Sequence, residues 1–203
     1  MSEPTATLTD TSWNALLRDQ TDWHLTNQVR ERLTGLTDDE YLWEPAPGAW
    51  NVRPRGTGTA PVQAGSGEMT IDFAFPPPEP APMTTIAWRL GHVIVGVLAV
   101  RNAAHFGRAA TDYQSFDYAP TADAALAQLD EEYARWTEGV ASLGEEGLAR
   151  PCGEAEGPFA EDPMARLVLH INRELVHHLA EVALLRDLYL HTTGESSGGA
   201  VQS

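Results

Sequence analysis

Apolar residues recur at helical spacing in four long stretches, and no stretch shows sustained strand alternation. The first stretch predicts a helix over about 12–33, with Thr11 or Ser12 as N-cap and Leu16, Leu17, Trp23, Val29 and Leu33 facing a core. Gly35 ends it. Thr37 and Glu40 have the spacing of a capping box, which predicts a short helical turn over 37–41. The second long helix is expected over about 84–106. It is apolar on every face from Val93 to Val100 and so needs cover on more than one side. The third spans about 122–143 and carries Leu126, Leu129, Tyr133, Trp136 and Val140. Asp123 lies in its first turn, where the helix dipole favours an acid. Pro163 suits the first turn of the fourth helix, which runs to about Tyr189 with a stripe of Leu167, Ile171, Leu175, Val182, Leu185 and Tyr189. Residues 45–82 differ, with nine prolines, many glycines and little periodicity. Trp50, Met69, Ile71, Phe73 and Phe75 give this segment anchors, so it reads as an ordered loop of the length that serves as a lid. The pattern predicts an all-α four-helix bundle with a long Pro/Gly-rich crossover loop between helices 1 and 2. One domain covers 1–192 and a flexible tail 193–203.

Composition narrows the partners. With 203 residues, 42% apolar and 21% charged, the chain suits one globular domain with a sizeable core. A net charge of -16 repels phosphates, which argues against nucleic acid and against anionic membranes. No apolar run approaches the roughly 20 residues needed to cross a bilayer. The N-terminus is polar and acidic, unlike a secretory signal, and the single Cys152 leaves no intramolecular disulfide. These features predict a cytoplasmic protein. The unbroken apolar surface of the second helix predicts a homodimer that would cover it.

The chemistry concentrates in the fourth helix, where His170, Glu174, His177, His178 and Glu181 crowd together. At about 100° per residue, His178 falls inside the apolar stripe and Glu174 on its edge, while His170 and His177 face away. Glu174 and His178 are four residues apart, hence stacked on one face. Such a pair is costly in an apolar setting unless both are satisfied. A divalent ion would satisfy them, and so would a mutual hydrogen bond. His92, between the small residues Gly91 and Gly96 of the second helix, is the candidate third ligand; a core histidine is the other reading. His24 is a weaker candidate for a supporting or substrate role. Cys152 has only Arg150 as a basic neighbour and reads as a bystander thiol. No nucleophile-elbow, P-loop or dinucleotide motif is present.

The segments WRLGH at 88–92, NRELVHHLAEVALLRDLY at 172–189 and GLTDDEYLWEPAPGAW at 35–50 resemble the DinB-like family of four-helix bundles. That resemblance implies a metal, often zinc or nickel, held by one ligand from the second helix and two from the fourth. Many members have His-x-x-x-His in the fourth helix, where this chain has Glu174. The mycothiol-dependent maleylpyruvate isomerase branch is similar in using Glu-x-x-x-His with a histidine from the second helix. On that resemblance His92, Glu174 and His178 are the metal ligands, with zinc first and nickel or iron as alternatives. The implied chemistry is transfer or isomerisation through a low-molecular-weight thiol such as mycothiol or bacillithiol. Those isomerases carry an additional C-terminal domain and this chain stops after the fourth helix, so maleylpyruvate itself is not the expected substrate. A non-catalytic bundle fixed by its metal is the alternative.

Overall fold

Ser12 starts the first helix by accepting the backbone N–H of Ala15 at 3.2 Å. In the computed structural model, which describes residues 11–193, this helix, α1, covers 13–33 and contains a π-helical turn, Leu25–Val29. Leu25, Val29 and Leu33 are buried. Trp23, expected in the core, is exposed, and Leu16 and Leu17 are only half-buried. Helix α1 buries two small polar residues in their place, Asn14 and Thr21, and both find hydrogen-bond partners. Asn14 Nδ2 donates to the Val140 carbonyl at 2.7 Å, and Thr21 Oγ1 to the Arg18 carbonyl at 3.1 Å. Helix α2, Asp38–Tyr41, has the expected capping box, with Thr37 and Glu40 exchanging bonds at 3.3 Å.

The chain is mostly helical, with a small three-stranded antiparallel sheet that corrects the all-α expectation. The sheet lies in the segment expected as a loop. Its strands are β1, Val52–Pro54, β2, Val62–Ala64, and β3, Met69–Phe73, in the order β1-β3-β2. Val52 and Ala64 flank Ile71 in register. The alternation signal fails here because two strands have three residues and the central one buries both faces. Pro54 is tolerated at the end of an edge strand. The segment is tied to the following helix by Asn51, whose Oδ1 accepts from Thr85 Oγ1 at 2.7 Å, and by Trp88 Nε1, which donates to the Asp72 carbonyl at 2.8 Å.

Helix α3 covers 86–105, capped by Thr85, with a π-helical stretch Val93–Ala99 in its middle. Val93, Ile94, Val95, Val97, Leu98 and Ala99 are at most 3% exposed. The cover comes from the chain itself: the sheet, α4 and α5 all pack on α3. Gly91 lets the sheet close in, because a Cβ there would meet Ile71 Cδ1 at 3.2 Å. Helix α4, Ala122–Leu148, is interrupted at Gly144 (φ 58°, ψ -168°), one residue past the expected end. A 3-10 segment, Glu154–Phe159, precedes α5, Met164–Thr193, which outruns the expected end at Tyr189. Apart from Thr193, the tail expected at 193–203 lies outside the described residues. Among the described residues no helix is long and apolar enough to cross a membrane.

One buried ion pair locks the end of α5 to the turn after α1. Arg186 donates through Nε and Nη2 to the two carboxylate oxygens of Glu40, at 2.8 and 3.1 Å, and through Nη1 to the Thr34 carbonyl. Removing one member of such a pair strands the other charge. Arg186→Ala should therefore lower the unfolding free energy by about 3–5 kcal/mol in denaturant titration at neutral pH. A loss under about 1 kcal/mol, the scale of a surface pair, would show that the pair does not hold this end of the fold.

Candidate metal centre

Helix α5 sets Glu174 and His178 one turn apart, and α3 brings His92 against them just before its π-helical stretch begins. Such π turns recur at functional sites because they locally widen the helix. His92, Glu174 and His178 each offer one ligand atom, all within 4.8 Å of one another. His178 Nε2 lies 3.3 Å from Glu174 Oε2, and the two imidazole rings meet edge to face with centroids 4.7 Å apart.

Other side chains orient this trio. His178 Nδ1 is 2.7 Å from Glu181 Oε2, and Arg89 Nε holds the same oxygen at 3.2 Å. His92 Nδ1 is 2.7 Å from the Tyr113 hydroxyl, and the Trp88 ring stacks on His92 at 5.6 Å. Gly96 makes the Tyr113 contact possible, since a Cβ there would sit 2.0 Å from the hydroxyl oxygen. In both histidines Nδ1 is therefore engaged, which leaves Nε2 as the nitrogen available to a ligand. That is how ligating imidazoles are usually fixed.

Proton accounting tests whether these residues suit a cation. A neutral His178 carries one proton. If that proton sits on Nδ1 facing Glu181, the bare lone pair of Nε2 faces the Glu174 carboxylate. Two acceptors at 3.3 Å repel unless something positive lies between them. Burial, then His178 and Arg89, push the pKa of His92 down to about 4, so this imidazole is neutral at physiological pH. Burial pushes the Glu174 carboxyl up, but His170, Arg173 and His178 outweigh it and hold Glu174 below the usual carboxylate range. A neutral imidazole at His92 and an ionised carboxylate at Glu174, beside the imidazole of His178, make up the kind of donor set that borderline divalent ions take. The residues fit such an ion.

The remaining expected residues fall elsewhere. His24, on α1, pairs with Gln28 of its own helix at 2.7 Å. His177 is exposed, as its place on the wheel implies. It also forms a second group with His178 and Glu181, but that group lies on α5 alone and would compete for the Glu181 contact that orients His178. Cys152 is buried, and burial, then Glu156 and Asp162, raise its thiol pKa, which suits a bystander. Trp50 and Phe73 stack on each other at 5.5 Å and reach the site through Trp88 and Tyr113, so the 45–82 segment backs the trio. Sequence reasoning missed Tyr113, Arg89 and the orienting role of Glu181. Glu181 sits three residues after His178, a spacing that could have flagged it. Tyr113 gave no signal, because it lies in a connection outside any periodic stretch.

A family described as the DinB superfamily matches residues 61–182, more than half of the chain and a span that includes all three members of the trio. No curated protein and no solved structure matches.

Protein purified without chelator should carry about one divalent ion per chain by elemental analysis, and His178→Ala should lose it. Full occupancy in the variant would place the ion elsewhere. The state of His92 also sets a pH dependence. Its folded pKa of about 4 lies below the ordinary 6.5, so the unfolded chain takes up the proton first. Its contribution to stability is full above pH 6.5 and is lost as pH falls towards 4. In metal-free protein, His92→Gln should flatten the loss of thermal stability across that window. Superimposable profiles for variant and wild type would show that His92 is not held neutral by the fold.

Proposed function

The chain belongs to the DinB superfamily, and on that footing we propose that it is a divalent-metal-dependent enzyme that activates a low-molecular-weight thiol, of mycothiol or bacillithiol type, for transfer to or isomerisation of a small electrophile. In this reading the four long helices form a four-helix bundle with the sheet as an insertion between the first two. His92, Glu174 and His178 hold the ion, zinc first and nickel or iron next. The observation that carries the reading is the convergence of two Nδ1-anchored histidines and a carboxylate, with His178 Nε2 3.3 Å from Glu174 Oε2.

A divalent ion bound there would supply Lewis acidity that lowers the pKa of a thiol beside it. The chain's own residues do the rest. Glu181 anchors Nδ1 of His178, and Arg89 aims Glu181. Tyr113 fixes the ring of His92, and burial holds that hydroxyl protonated, with its pKa pushed up to about 12. A cavity of about 430 Å³ opens beside His92, Glu174 and Tyr113, room for a small substrate. Trp88, backed by Trp50, closes one side of His92 to water.

Metal-loaded protein should conjugate at least one of mycothiol, bacillithiol, glutathione or cysteine to chlorodinitrobenzene. The activity should vanish with chelator and in Glu174→Gln. Chelation should also lower the melting temperature by about 5–10 °C while leaving a folded apo protein. Loss of the stabilisation without turnover by any of the thiols would assign the ion a structural role and refute the enzyme reading.

A further inference from the structure

The cavity beside the trio is not isolated. Arg101 and His170 also line a second cavity of about 320 Å³, which reaches along α5 to Arg166 and Arg173. The charged residues of the two walls are matched one to one. Arg101 pairs with Glu156 at 3.4 Å, Arg166 with Asp162 at 2.7 Å, and Arg173 with Glu174 at 3.4 Å. Without an ion the walls are therefore close to neutral. An ion at His92, Glu174 and His178 adds two positive charges with no new acid to offset them, and it draws Glu174 away from Arg173. The surplus lies against Val97, Val100, Ile171 and Leu167, in surroundings that screen charge poorly. In a chain of net charge -16 this pair of cavities becomes a local cationic well.

A thiolate would neutralise only one of the two surplus charges. Arg101 is the group placed to receive a second anion. It stands on the wall common to both cavities, and its side chain is 26% exposed, against 64% for Arg166 and 69% for Arg173. Its Nη1 is fixed by the Gly96 carbonyl at 2.8 Å, while its bond to Glu156 is long. A guanidinium held this way presents a planar set of donors that suits a carboxylate.

We propose that the site takes a small molecule with a carboxylate on an apolar body, the carboxylate held by Arg101 and the body lying against Val97, Val100 and Ile171. The proposal rests on the reading of the trio as a metal centre, and it names the class of substrate that the centre serves.

The test is calorimetric titration of zinc-loaded and chelator-stripped protein with 3-phenylpropanoate and with its neutral amide, 3-phenylpropanamide. The acid should bind zinc-loaded wild type about tenfold more tightly than the amide, the scale of one charge-assisted hydrogen bond. In Arg101→Gln the ratio should fall to about twofold or less at unchanged zinc content, and Arg101→Lys should keep part of it. Equal binding of acid and amide in both forms of the wild type, or no binding of either, would overturn the proposal without recourse to any variant. A preference that survives in Arg101→Gln would put the carboxylate on the ion and overturn it too. Failure of the metal reading shows separately, as absence of zinc uptake. A preference that stripped protein shows, and that Arg101→Gln loses, would then support the arginine by itself.

Discussion

A helix buried on every face can carry a polar side chain only where a neighbour meets its hydrogen bonds, and α3 imposes that constraint on much of the molecule. Its middle is apolar and largely buried, yet His92, Arg101 and Asn102 flank it. Each polar group fixes the position of another element. His92 needs Tyr113 and so holds the connection between α3 and α4 over its ring. Asn102 donates to the carbonyl and carboxylate of Glu132 on α4, and Glu132 in turn receives Arg108. Arg101 and His105 both reach Glu156 and tether the 3-10 segment before α5. The same demand explains the site. The two histidines of the trio are accommodated because each has a partner for Nδ1, Tyr113 for His92 and Glu181 for His178.

The electrostatics follow from that arrangement. The surface is strongly acidic, but the walls of the two cavities pair each arginine with a carboxylate, so the apo chain can fold without burying net charge. An ion held by His92, Glu174 and His178 would add positive charge to these balanced walls. The Glu40–Arg186 clamp lies near the other end of α5, twelve residues on from Glu174, and holds this long helix where it supplies two members of the trio.

Much of this was legible in the sequence where the cause was local. The caps at Ser12 and Thr37, the interruption at Gly144 and the inward turn of Glu174 and His178 all follow from residues within a turn or two of each other. The pairing of α5 with His92 was legible only as a problem of two awkward polar positions in apolar helices. The sheet was not legible, because a five-residue strand buried on both faces has no alternation to read. Trp23 was misjudged because hydrophobicity outranked the hydrogen bonds that let Asn14 and Thr21 take the inner face. Tyr113 and Arg101 escaped notice for a different reason. Their roles depend on which residues the tertiary fold sets opposite them, and no spacing along the chain encodes that.

The π-helical stretch of α3 has a bearing on how this site tolerates change. In a straight α-helix, residues nine apart point about 180° from each other, so Arg101 would look away from His92. A π-helical stretch takes up roughly one extra residue, which brings the offset back to about 80°, and the two line the same cavity. The helix defect thus sets the phase between His92 and Arg101. A chain one residue shorter between 93 and 99 would wind regularly and keep this offset of about 80°, whereas the full-length stretch wound as regular α-helix would turn Arg101 away from His92. A single-codon deletion in this stretch therefore preserves the shared chamber, while a substitution that favoured regular winding at full length would divide it.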